Sequence, residues 1–224
     1  MTFLPKRMFM NRNKQTVKPC NNMMRSSFLS RVRCTLANLF FRDNNLLFAL
    51  ISAKLRNNKI ILGNHIVLRH CRFIIHGSGN TIVIGDNCTL SGVRVYSDSS
   101  NNKLTIGRNT TVNADKRQMT LFNPCGEKEI TVGEYCLFSN NVELHTTDYH
   151  KILSDGKQTN QPQNIVIGSH CWIGLQSLIL KGTVLADNII VGAKSLVNQK
   201  FEDPDVIIAG NPAKIIKYGV AWES

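Results

Sequence analysis

The sequence predicts an all-β solenoid of triangular section, and three observations carry that reading. Ile167, Ile173, Ile179, Leu185, Val191 and Val197 recur at a strict period of six, a spacing that neither a strand (about 2) nor a helix (about 3.6) produces. The residue four places after each is small at Cys171, Ser177, Thr183 and Ser195, as a tight corner requires, with Ile189 the exception. The same phrase returns upstream as Ile84-Gly85 with Cys88, Ile106-Gly107 with Thr110, and Val132-Gly133 with Cys136, where the glycine is read as relieving the turn. One inward aliphatic per six-residue side gives an eighteen-residue coil that stacks on its neighbours by parallel pairing.

Taken in chain order, residues 1–58 form a basic arm. They hold eleven Lys and Arg against the single acid Asp43, so nearly all of the net charge of +12 lies there. Phe28, Val32, Leu36, Leu39 and Phe40 recur at helical spacing, as do Leu46, Leu47, Leu50, Ile51 and Leu55, which predicts two short helices after a flexible leader. A basic amphipathic arm suits peripheral contact with an anionic membrane surface; capping the apolar first coil of the solenoid is an equal alternative. The longest apolar run, Leu46 to Ala53, is too short to cross a bilayer, and no signal peptide is read. No nucleic-acid-binding module accompanies the charge.

The solenoid is expected over residues 59–217, followed by a tail, 218–224. In its first half Leu62, Ile84 and Ile106 stand 22 apart, one coil plus a four-residue bulge. The seven cysteines are odd in number and contain no CxxC pair, which points to a reducing, cytoplasmic compartment rather than a disulfide framework or zinc ribbon.

Between His145 and Asn164 the rhythm fails and a polar loop with two of the six histidines appears. A solenoid that releases a long loop has a use for it. Imidazole titrates near neutrality and can take a proton from an attacking alcohol, so His145 and His150 are the candidates for a base.

The run from Ile165 to Val197, IVIGSHCWIGLQSLILKGTVLADNIIVGAKSLV, followed by IIAGNPAKIIK, resembles the hexapeptide-repeat acyltransferases, in particular the maltose, galactoside and polysaccharide O-acetyltransferase branch. The resemblance covers roughly residues 60–217. It implies a left-handed parallel β-helix, an exception to the usual crossover hand. It also implies a homotrimer with active sites between subunits, and acetyl-CoA as donor. The family's catalytic histidine falls in a T-x-T-H-P loop, matched here by Thr147-Asp148-Tyr149-His150, which assigns the base to His150 and leaves His145 a structural role. Lys151 stands where the family has proline. Asp148 or Glu143 could orient the imidazole. The donor's pantetheine arm follows the edge beside WIG and GAxS, which implies Gly174, Leu175 and Ala193. Nucleotide phosphates imply Lys214 and Lys217, and Lys200 as a further candidate.

The expected activity is therefore acetyl-CoA-dependent O-acetylation of a sugar hydroxyl, on a bacterial surface polysaccharide, with no metal. A small acceptor such as an amino sugar or antibiotic is the alternative. Two further readings are a non-catalytic scaffold and a zinc enzyme of the carbonic-anhydrase type. The zinc site would need a third histidine beside His145 and His150, and the nearest upstream, His76, is 69 residues away.

Overall fold

The computed structural model describes residues 57–223 and the backbone of Phe40–Phe41. Three parallel sheets form the three faces of a coil. Along one face Lys59–Leu62, Thr81–Ile84, Lys103–Ile106, Glu129–Val132, Ile165–Ile167, Val184–Leu185 and Lys200–Phe201 stack in register. No helix occurs among the described residues. Most of the basic arm, with its expected helices and membrane contact, lies outside them. At Phe40–Phe41, where the helical spacing ends, the chain is instead a strand paired with Val67 and Leu68.

The six-residue rhythm is the core. Ile167, Ile173, Ile179, Leu185, Val191 and Val197 are all buried, each burial stabilising the coil by about 1.5–3 kcal/mol. Ile189, the exception to the small-residue rule, is fully buried too. The small corner residues do more than fit. Cys88 Sγ donates to Gly107 O (3.1 Å), Cys171 Sγ to Ala186 O (3.2 Å), Ser177 Oγ to Gly192 O (3.0 Å) and Thr183 Oγ1 to Val197 O (3.0 Å). Each ties its coil to the next. Burial pushes the Cys88 thiol up to about 11, so it is inert near neutrality.

The glycine after each aliphatic serves a different purpose from the one the sequence suggested. A Cβ on Gly107 would lie 2.5 Å from the backbone of Gly133, and one on Gly133 2.6 Å from Gly168. Close stacking of backbones, rather than an unusual φ, excludes a side chain there. The left-handed corner positions just beyond are filled by Asn87, Asn109, Tyr135, His170 and Asn188, with φ between 56° and 60°, and asparagine tolerates that region best among residues with a side chain.

Coil length varies at two corners, most of it at one. The register advances 22 residues from Lys59 to Thr81 and again to Lys103, 26 to Glu129, then 35 from Ile130 to Ile165, before settling at 18 from Val166 to Val184. Residues 114–119 are inserted at the corner between Thr111–Asn113 and Thr120–Asn123; most of the additional residues fall instead between the face containing Arg72–Ile75, Val93–Ser97, Thr120–Asn123 and Glu143–His145 and the face described above. An asparagine ladder stiffens this corner. Asn58 Oδ1 accepts from Asn80 N (2.8 Å), Asn80 Oδ1 from Asn102 N (2.8 Å), and Asn102 Oδ1 from Lys128 N (3.1 Å). Asn80 and Asn102 are buried, and the ladder satisfies backbone N–H groups that would otherwise be costly, while Asn80 Nδ2 stays buried without a partner.

The C-terminal strand Ala213–Tyr218 turns back antiparallel on Val206–Gly210. The tail then lays Trp222 on His170, ring centroids 4.5 Å apart and nearly parallel, with Trp222 Nε1 donating to His170 O at 2.8 Å.

Candidate active site

The long loop emerges from the corner where the coils are most lengthened. It leaves after strand Glu143–His145, folds into a small hairpin, Leu153–Ser154 with Lys157–Gln158, and rejoins at Ile165. The hairpin turns on Asp155 and Gly156, both at positive φ, a D-G signal legible in the sequence. The loop is tied down at several points. Asp148 Oδ2 accepts from Lys181 Nζ (2.5 Å) and from Asn160 Nδ2 (2.8 Å), and Asn160 Nδ2 also donates to the His150 carbonyl (2.7 Å). The Lys181 ammonium holds the Asp148 carboxyl below its usual range. Gln163 N donates to Thr146 O (3.0 Å), closing the base of the loop.

Beneath the loop lies an open cleft of about 890 Å³. One wall is the loop, with Thr147, Tyr149 and His150; the other is the stacked insertions, with Ser99, Gly126 and Lys128. Gly126 N donates to Ser99 Oγ (2.8 Å), joining two of those insertions. The bulges that loosen the repeat in the first half of the sequence are thus the floor of this cleft.

The two histidines, five residues apart, sit in opposite environments. His145 ends a strand in register with Asn123 and Leu180. Its Nε2 is 3.0 Å from Glu143 Oε2 and its Nδ1 3.0 Å from Asn123 Nδ2, so both ring nitrogens are engaged. His150 is exposed, lines the cleft, and its imidazole has no hydrogen-bond partner among the described residues. Neither acid named as a possible orienter reaches it: Glu143 pairs with His145 and Asp148 with Lys181.

The residues assigned to the donor lie at another corner. Gly174 N donates to Val191 O (2.9 Å) and Lys194 N to Leu175 O (2.7 Å), stacking Gly174-Leu175 on Gly192-Ala193. A Cβ on Gly174 would sit 2.7 Å from Ala193 N. Leu175 and Ala193 are exposed along this edge. Lys214 pairs across from Ala209 and Lys217 from Ile207 on the adjoining sheet, whose strand Val206–Gly210 follows Ile190–Val191. Lys200 lies on a third face, opposite Val184. The structure therefore groups Gly174, Leu175 and Ala193, sets Lys214 and Lys217 beside them, and separates Lys200. It also puts a whole face of the coil between this edge and the His150 cleft, about 20 Å for six residues of extended chain.

Sequence reasoning missed Asn123, Asn160, Lys181 and Trp222. Asn123 had a signal: it stands 22 residues before His145, the coil length read upstream. Among the described residues no three of His, Cys, Asp and Glu are grouped so as to hold a metal ion.

A three-faced parallel coil on a six-residue repeat, releasing a histidine-bearing loop beside an open cleft, is a hexapeptide-repeat solenoid. No protein-family model matches the chain. It is 33% identical over 91 residues to the galactoside O-acetyltransferase of Escherichia coli K12, covering 39% of this chain and 43% of that protein. It is 30% identical over 96 residues to the polysialic acid O-acetyltransferase of Neisseria meningitidis, covering 42% and 45%. The chain spans less than half the length of these curated relatives. The solved polysialic acid O-acetyltransferase OatWY superposes with a TM-score of 0.63 at 28% identity, over 75% of this chain and 78% of that one. In sequence and in fold the chain is similar to these O-acetyltransferases, and its coil is the left-handed parallel β-helix.

Proposed function

We propose that the protein is an acetyl-CoA-dependent O-acetyltransferase that acetylates a sugar hydroxyl of a bacterial surface polysaccharide. The observation that carries the reading is the exposed, uncommitted imidazole of His150 in a polar cleft; the acetylated class follows from the relatives, which are galactoside and polysialic acid O-acetyltransferases.

In this reading His150 removes the proton from the acceptor hydroxyl as its oxygen attacks the thioester carbonyl. The C–O bond forms, the C–S bond breaks through a tetrahedral intermediate, and the departing thiolate of CoA takes the proton. Backbone amides of the coil edge stabilise the oxyanion, and holding both substrates in one cleft supplies proximity. The exposed edge of Gly174, Leu175 and Ala193 receives the pantetheine arm, and Lys214 and Lys217 meet the nucleotide phosphates as point charges. Lys200, on another face, is the least favoured of the three lysines.

On one chain a whole face of the coil separates the cleft of the base from the donor edge. A homotrimer resolves this, because the edge of one copy can face the cleft of the next. The test is direct. Purified protein with acetyl-CoA and a panel of bacterial polysaccharides should release CoA only when an acceptor is present, and mild alkali should remove the transferred acetyl group, as it does from esters but not amides. Release of CoA with an alkali-stable product would replace O-transfer by N-transfer.

A further inference from the structure

Asn123 is a fully buried asparagine at the point where the coil meets the loop, and every polar atom of its side chain is used. Its Nδ2 lies 3.0 Å from His145 Nδ1 and also contacts the Tyr149 hydroxyl, while its Oδ1 accepts from Cys125 Sγ at 2.8 Å. On the far side of the ring, His145 Nε2 meets Glu143 Oε2 at 3.0 Å. One proton arrangement satisfies the whole chain of contacts. An ionised Glu143 requires the hydrogen on Nε2, which leaves Nδ1 as a lone pair, so Asn123 donates one N–H to the imidazole and the other to Tyr149.

Tyr149 immediately precedes His150. It holds φ +63°, a conformation that a bulky residue adopts only where its surroundings impose it. Its N–H donates to Thr147 Oγ1 (3.1 Å), and across the coil it is held by the hydrogen bond to its hydroxyl and the edge-to-face contact of its ring with His145, centroids 6.4 Å apart. Burial raises the Tyr149 hydroxyl above its ordinary value, keeping it a neutral partner.

Resting on the assignment of His150 as base, we propose that Glu143, His145 and Asn123 form a polar relay, running from half-exposed Glu143 to fully buried Asn123, that grips Tyr149 and so positions the His150 loop. His145, with both nitrogens engaged, is a positioning residue. A relay in which each member can bond only one way fixes the next. The anchoring is local: it should govern how His150 meets the acceptor and leave the donor edge at the other corner untouched.

The test compares His145→Phe, which fills the space without polar atoms, with His145→Gln, whose amide can donate to Glu143 and accept from Asn123. Tyr149→Phe removes only the anchored hydroxyl and keeps the proposal testable if His145→Phe fails to fold. Amide hydrogen exchange over residues 147–162 is read first. His145→Phe and Tyr149→Phe should raise exchange in the loop and not in the coils, and lower kcat about 10–100-fold with the KM for acetyl-CoA unchanged. His145→Gln should restore both. Unchanged loop exchange in both Phe variants would overturn the relay. So would faster loop exchange with undiminished kcat, or a Gln variant as impaired as Phe, which would make the imidazole itself the chemical group. If the wild-type protein transfers no acetyl group, the functional reading fails and hydrogen exchange still decides the relay.

Discussion

Two corners of the same coil, a face apart, solve different problems. At the corner of Gly174 and Ala193 the turns repeat every eighteen residues, and what the protein offers is backbone edge. At the corner of the loop the coils carry additional residues at every level from Gly77 to Asn164, and what it offers is side chains: His150, Tyr149, Lys128, Asn123. In the proposed function, regularity gives a straight track for a long flexible donor, and irregularity gives a shaped cleft for chemistry. Neither is complete alone, because the tightness that excludes a Cβ at Gly174 also excludes a catalytic side chain.

The contrast can be broken most sharply at His150. Replacing it with Ala should lower kcat about 10²–10⁴-fold with acetyl-CoA affinity unchanged; steady-state kinetics and donor titration check this, and a loss confined to KM would contradict it. Ala193→Trp attacks the other corner. It should raise the KM for acetyl-CoA about 10–100-fold and leave the loop's hydrogen exchange as it was.

A smaller effect is expected from the loop's outer tether. Lys181→Met removes the partner of Asp148 and should lower kcat about 10-fold by letting His150 drift. Acid should do the same to the wild type. Because the folded-state value of Asp148 is lowered, the pair's contribution is full above the unfolded carboxylate value of about 4 and disappears as pH falls below it. Limited proteolysis at residues 151–159 should therefore increase at low pH in the wild type and be high at every pH in Lys181→Met. Smallest should be Lys214→Ala and Lys217→Ala, each raising the KM for acetyl-CoA a few-fold, about 0.2–1 kcal/mol for an exposed charge contact, with the difference shrinking in high salt. Lys200→Ala should change it less than either.

How much of this was legible in the sequence differs between the corners too. The aliphatics and small residues from Ile167 to Val197 specify a coil by themselves, because each acts through volume and burial at a fixed spacing. The cysteine, serine and threonine rungs were legible as small, but their hydrogen bonds to the next coil were not, since those depend on which carbonyl stacks above. At the loop, the departure from rhythm was visible and the partners were not. Lys181 meets Asp148 across 33 residues, and Asn123 meets His145 only once the register is known. Electrostatic partners brought together by stacking leave no local pattern. Of the two expected helices only the end of the first, Phe40–Phe41, lies within the described residues, and there pairing with Val67 and Leu68 makes a strand, tertiary context overriding local preference.

The central claim is that the His150 cleft of one copy works with the Gly174–Ala193 edge of another. Mixing two impaired variants, assayed at acetyl-CoA well below the raised KM of Ala193→Trp, tests it: His150→Ala, which keeps its edge, and Ala193→Trp, which keeps its base, unfolded and refolded together in equal amounts. If sites form between copies, random reassembly into trimers restores about a quarter of wild-type activity, since each mixed trimer has one intact site in three. Activity no higher than that of the separate variants, in a mixture shown to contain mixed oligomers, would place base and donor edge on the same chain and contradict the account.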